Sequence, residues 1–167
     1  SGNNTITLVS LNDGTYSNCT ITVTDSSGNV SNTLTITSFI VDLTAATLVE
    51  VTAVTTPTND NTPNYTFSSS KAGEIVYSGA CYSDSTTASA GSNTITFSPL
   101  GDGAYLNCAI TVYDSEDYNV SVTLAISTFT VDTTPPMLME VETVTTPTND
   151  NTPDYTFASS EAGTITY

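Results

Sequence analysis

A passage of thirteen residues occurs twice, and it fixes the size of the folding unit. Residues 55–67 read TTPTNDNTPNYTF and residues 145–157 read TTPTNDNTPDYTF, a displacement of 90. A second pair, NTITLVSLNDGTYSNCTITV (4–23) and NTITFSPLGDGAYLNCAITV (93–112), is displaced by 89. The one-residue difference falls in a loop, DSSGN (25–29) against DSEDYN (114–119). The repeat is therefore about 90 residues long, one small domain each. The 167 residues are out of phase with it. Residues 1–42 read as the second half of one unit, 43–134 as a complete unit, and 135–167 as the first half of a third. A half unit cannot bury its own apolar face, so neither end is expected to be stable by itself. The two ends carry complementary halves, with only the counterpart of about 78–89 missing between them.

Each unit reads as strands. Apolar and polar residues alternate in Thr5-Ile6-Thr7-Leu8, Thr20-Ile21-Thr22-Val23 and Thr33-Leu34-Thr35-Ile36, with β-branched residues on both faces. No helical apolar period of useful length occurs. In the complete unit, strands are expected near 47–55, 64–69, 74–81, 83–89, 93–98, 105–113 and 120–131. Turn chemistry separates them at Pro57 to Pro63, Lys71-Ala72-Gly73, Gly101-Asp102-Gly103 and Ser115 to Asn119. Seven short strands in about 90 residues predict an all-β, antiparallel sandwich.

Four passages, VDTTPP (131–136), TTPTNDNTPNYTF (55–67), DGAYLNCAITVYD (102–114) and NVS (119–121), resemble the bacterial immunoglobulin-like tandem repeats of very large surface adhesins and biofilm proteins. The resemblance extends over the whole chain, because every segment belongs to one of the repeat copies. It implies Ig-like sandwiches joined end to end, an extracellular or cell-surface setting, and calcium at the interdomain junctions. Asp-Gly-x-Tyr, at Asp13 to Tyr16 and Asp102 to Tyr105, resembles the tyrosine corner of immunoglobulin-like domains. Here the Cys follows Tyr at i+3 rather than i+2, so Tyr105 and Cys108 face opposite sides unless a bulge intervenes.

In the phase of the repeat, each unit has one Cys ending its third strand and one in its sixth. Cys81 and Cys108 are that pair in the complete unit, and a bridge between them implies an oxidising setting. Two buried free thiols are the other reading. Cys19 is the sixth-strand cysteine of the first unit, with its partner expected outside residues 1–167. Parity places Cys108 with Leu106, Ile110 and Val112, facing the core.

Charge removes several function classes. Seventeen acidic residues face one basic residue, Lys71, for a formal net charge of −16, and there is no histidine. One lysine cannot supply a phosphate footprint, so no nucleic-acid partner is expected. Imidazole-dependent nucleophilic catalysis has no base. Three cysteines without histidine cannot complete a four-ligand zinc site. No apolar run approaches the ~18 residues of a membrane span, so no membrane insertion is expected in this segment. Paired carboxylates lack an aromatic-lined cleft of the kind a glycosidase needs, and no enzymatic activity is expected.

Strand directions bring Asp60, Asp102 and Asp132 to one end of the complete unit, against the following repeat. Asp13 and Asp42 hold the same roles in the first half unit, and Asp150 in the third. Carboxylates gathered at a junction repel one another, and a hard cation such as Ca2+ offsets this through oxygen ligands. Asp25 and Asp114, opening the turn at the opposite end, are weaker candidates. The alternative is that these aspartates form turns by bonding their own backbone.

The sequence thus leads to a structural repeat of a bacterial stalk or filament, stiffened by disulfides and Asp/Pro-bearing linkers. Its partners are neighbouring repeats of the same chain or identical chains. In one version residues 1–167 are a slice of a giant polypeptide, which the orphan Cys19 favours. In the other, the C-terminal half unit of one chain pairs with the N-terminal half unit of its neighbour. The rival class is a glycan-, receptor- or ice-binding module, for which Tyr113 and Tyr118 are the candidate exposed aromatics.

Overall fold

The structure, a computed structural model, describes residues 2–115 and 119–167. These residues contain fifteen short strands and no helix. The first segment contributes β1 (Gly14–Tyr16), β2 (Thr20–Ile21), β3 (Leu34–Thr35) and β4 (Phe39–Val41). Residues 43–134 hold β5 (Leu48–Thr52), β6 (Asn64–Ser69), β7 (Gly73–Ser78), β8 (Thr87–Ala88), β9 (Gly91–Thr96), β10 (Gly103–Tyr105), β11 (Ala109–Asp114), β12 (Leu124–Ala125) and β13 (Phe129–Val131). The last segment adds β14 (Leu138–Glu142) and β15 (Thr156–Ser159).

All the ladders are antiparallel, and the sheets of the middle segment are consistent with a β-sandwich. One sheet has the order β5-β6-β9 and the other β12-β11-β7-β8, with β10-β13 as a separate pair. Tyr65, Phe67, Ile95 and Phe97 come from or directly follow strands of the first sheet, and Ile75, Ile110 and Val112 from the second. Together with Phe129 and Val131 they form one buried cluster. The alternation BiBiB within β6 and iBiBiB along β11 is the period-2 signature of strands with one face packed. Every buried hydrophobic residue lies between Ala46 and Val131. Thr58 also makes an isolated parallel bridge to Val131, with its amide donating to the Thr130 carbonyl and its own carbonyl accepting from Asp132.

Two details depart from the sequence reading. The sixth and seventh strands are each broken, leaving 106–108 between β10 and β11 and 126–128 between β12 and β13. The break shifts the parity, so Leu106 faces solvent while Cys108 is buried, and the expected core role of Leu106 is corrected. The same break lets Tyr105 and Cys108 both serve the core side. The Tyr105 ring stacks on Phe129 at 5.1 Å, and its hydroxyl donates to the Gly101 carbonyl at 2.9 Å. Tyr16 repeats both contacts, on Phe39 at 5.3 Å and on the Asn12 carbonyl at 2.9 Å. The turn DSEDYN is described only in part, and Tyr118 lies outside the described residues.

Cys81 and Cys108 form a disulfide across 27 residues of sequence. The turn before Cys81 carries Gly79 at φ +81°, where a Cβ would lie 1.9 Å from the Asn107 carbonyl oxygen. Glycine is thus what lets the chain leaving β7 approach the break in the sixth strand. Closing a loop of this length restricts the unfolded chain by roughly 3–4 kcal/mol in the chain-entropy account. The double variant Cys81→Ala/Cys108→Ala is expected to lose about that much in urea unfolding with the m-value little changed. An unchanged midpoint would show that the core alone carries the fold.

Candidate functional site

The chain's single basic side chain is anchored between two carboxylates contributed by different segments. Lys71 lies in the turn between β6 and β7. Its Nζ is 2.7 Å from Asp42 Oδ2, just past β4, and 2.8 Å from Asp114 Oδ2, at the end of β11. The Thr44 carbonyl accepts from the same Nζ. Asn119 Nδ2 donates to the Asp42 carbonyl at 3.1 Å. Asp114 is buried and Lys71 partly so. A charge taken out of water needs a partner of opposite sign, and Lys71 supplies it. The cluster ties the end of the first segment to two turns of the middle unit.

The electrostatics follow from these contacts. Asp114 first, and Asp42 second, raise the Lys71 ammonium above its ordinary 10.5. Hydrogen bonding from Lys71, aided by the Thr44 amide, lowers Asp42 below its ordinary 3.8. The lysine contribution is therefore complete below its ordinary value and is lost only as pH rises through the raised one. The Asp42 contribution is present above 3.8 and is lost as pH falls through the lowered value.

The other aspartates singled out in the sequence are engaged in turns and linkers. Asp13 accepts from the Leu43 amide at 2.9 Å and from the Thr44 hydroxyl. Asp102 makes the matching contacts one repeat later, with the Thr133 amide at 2.9 Å and the Thr133 and Thr134 hydroxyls at 2.7 and 2.6 Å. Those hydroxyls, Thr134 first, hold Asp102 below its ordinary 3.8. Asp132 accepts from the Thr134 amide at 3.3 Å. Asp60 and Asp150 each cap their own turn through Thr62 and Thr152. Asp25 does the same through Asn29 and Ser27, and the Asn29 side chain is the main cause of its lowered pKa.

Asp13 with Asp42, and Asp102 with Asp132, therefore meet at the linker that follows each unit. Among the described residues, no three carboxylate or thiolate side chains gather in a way that could hold a metal ion. These donor sets do not fit calcium, since each carboxylate accepts from amides, hydroxyls or Lys71. Two sequence expectations are amended. Asp114 is a lysine partner, and the view that no lysine offsets the junction charge fails at Asp42. Strand direction had already placed the two turns and the incoming segment at one end, which is the signal from which this cluster could have been found.

No protein-family model, curated protein or solved structure matches this chain.

Two measurements check the site. Lys71→Gln removes the central charge, whereas Lys71→Glu adds a third carboxylate beside Asp42 and Asp114, so the urea midpoint should fall further for Glu. High salt should narrow the difference, because partly exposed charges are screened. Equal midpoints would reduce the cluster to a surface ion pair. By amide exchange, the protection of Thr44 and Thr133 should hold from neutral pH to about 5 and decline below about 4, as Asp42 and Asp102 take up protons.

Proposed function

We propose that this chain is a run of tandem Ig-like repeats serving as a structural stalk or filament of a bacterial cell surface or extracellular matrix. Its role is mechanical and non-enzymatic. The observation that carries this reading is the recurrence of one set of contacts at the repeat distance. The Gly14↔Val41 register of β1 and β4 recurs as Gly103↔Val131 of β10 and β13. The Leu48↔Ser69 register of β5 and β6 recurs as Leu138↔Ser159 of β14 and β15, with the same register shift. The tyrosine hydroxyl contacts and the Asp–linker contacts recur with them.

In an Ig-like reading, β5-β6-β9 and β12-β11-β7-β8 are the two sheets, and the disulfide joins the chain after β7 to the sixth strand. The bridge is compatible with an oxidising, extracytoplasmic setting. Successive units are coupled by short linkers held by aspartates and, at the first junction, by Lys71. High negative charge keeps such arrays apart in solution.

Single-molecule stretching tests the mechanical role. The middle unit should unfold in one discrete step, and because the bridge spans 27 residues, reduction should lengthen that step by about 90–100 Å. A featureless extension at low force would remove the stalk reading. Antibody raised to the chain should label intact, unpermeabilised cells, and labelling only after lysis would remove the surface setting. Interdomain calcium, which the family resemblance implies, is a separate proposal that the hydrogen-bonded carboxylates do not support. On their geometry the melting midpoint is the same in calcium and in chelator, and a rise in calcium would reinstate the metal.

A further inference from the structure

The two ends of the chain expose the side chains that the middle unit buries. Ile6 is 61% exposed and its repeat counterpart Ile95 2%. Tyr155 is 53% exposed against 0% for Tyr65, and Ile165 64% against 3% for Ile75. These residues fall into two complementary sets. In the middle unit, β6 is paired on one side with β5 and on the other with β9. Its counterpart β15 has β14 on one side only. The open side of that two-stranded sheet is an apolar groove lined by Leu138, Tyr155, Phe157 and Ile165. At the other end, residues 2–10 form no strand. Their counterparts in the middle unit include β9, the strand missing beside β15.

Resting on the repeat reading above, we infer that a second copy of this chain fills the groove with its N-terminal half unit, completing one sandwich from two molecules. The occupant is specified by the interface already present in the middle unit, which the joint continues strand for strand. Transposing the β6–β9 register places Tyr155 opposite Ile6, Phe157 opposite Asn4 and Ser159 opposite Gly2. Transposing the β7–β11 register places Ile165 opposite Val23 and Tyr167 opposite Ile21. Addition of a strand to an open sheet edge satisfies backbone donors and acceptors along its length, and the alternate side chains enter the core. Because each molecule carries one half of the joint at each end, the association is head-to-tail and continues into filaments.

The transposition also shows where the joint is weaker than the sandwich it copies. Lys71 becomes Glu161, and Asp114 becomes Asp25. Three carboxylates, Glu161, Asp25 and Asp132, then meet where the middle unit has a lysine between two aspartates. The joint is accordingly favoured by salt. Cys19, the counterpart of Cys108, is a half-buried free thiol in the single chain, and the joint covers it.

Sedimentation of the 167-residue chain over a concentration series, at about 0.05 and about 0.5 M NaCl, tests the joint. The expected result is a mass that grows with concentration, more strongly at high salt. Ile6→Asp, at a position exposed in the single chain, should weaken association at least about tenfold by burying a charge. Glu161→Lys should strengthen it several-fold, chiefly at low salt. Alkylation of Cys19 should slow as concentration rises, and Ile6→Asp should abolish that protection. A single-chain mass at every concentration, or association indifferent to both Ile6→Asp and Tyr155→Asp, overturns the joint. The middle unit keeps its own core in these variants, so its unfolding step under force reports the stalk reading separately. A single-chain mass with that step intact removes the joint alone.

Discussion

The packing of two small sheets against each other is the interaction on which everything else in this chain rests. A sheet rich in Ser and Thr has little apolar area to spare, and a polar outer face adds nothing to the core. Stability comes from the residues that face inward, Tyr65, Phe67, Ile95 and Phe97 against Ile75, Ile110 and Val112. That packing needs both sheets at once. The middle segment has both, and it holds all the buried hydrophobic residues. The flanking segments have the strand pairs but not the facing layer, and their apolar side chains remain in solvent. One interaction thus separates the ordered interior of residues 46–131 from ends whose local registers are correct and whose faces are uncovered.

The disulfide and the tyrosine contacts act on the same core from its margin. Cys81 and Cys108 close the region where the sixth strand is interrupted, and Tyr105 stacks on Phe129 just beyond it. Glu50 reaches across to the Ser127 amide and hydroxyl, at 2.9 and 2.6 Å, at the matching interruption of the seventh strand. Each break in backbone pairing is therefore bridged by a covalent or side-chain contact. A continuous pair of strands would have needed neither, but it would also have turned Leu106 inward at the expense of Tyr105.

Much of this was legible in the sequence, because it rests on local chemistry. Strict alternation gave β6 to the residue, 64–69, and the turn residues bounded β7, β9 and β11 to within a few positions. Repeat phase paired Cys81 with Cys108. The breaks at 106–108 and 126–128 were not legible, since neither Gly nor Pro marks them and the apolar period runs through Leu106 without interruption. The charge cluster was half legible. Strand direction put the Lys71 and Asp114 turns at the same end as the incoming segment, yet a lone lysine in a highly acidic chain gives no sign of which carboxylate it will meet. The aspartates of the opposite end were found as residues but assigned by net charge, whereas short-range donors from Thr44, Thr133 and Thr134 decide their surroundings.

The single lysine has a further consequence, in terms of who can digest this chain. Proteases of the trypsin type require a basic side chain extended into a specificity pocket, and residues 1–167 offer one. That side chain is already bound by Asp42 and Asp114 in a turn whose backbone is tied to the neighbouring strands. To present it, the turn must open and a buried carboxylate must give up its partner. A chain built from such repeats meets basic-residue proteases with almost nothing to cut, and where a site exists it is closed by the contact that joins one unit to the next.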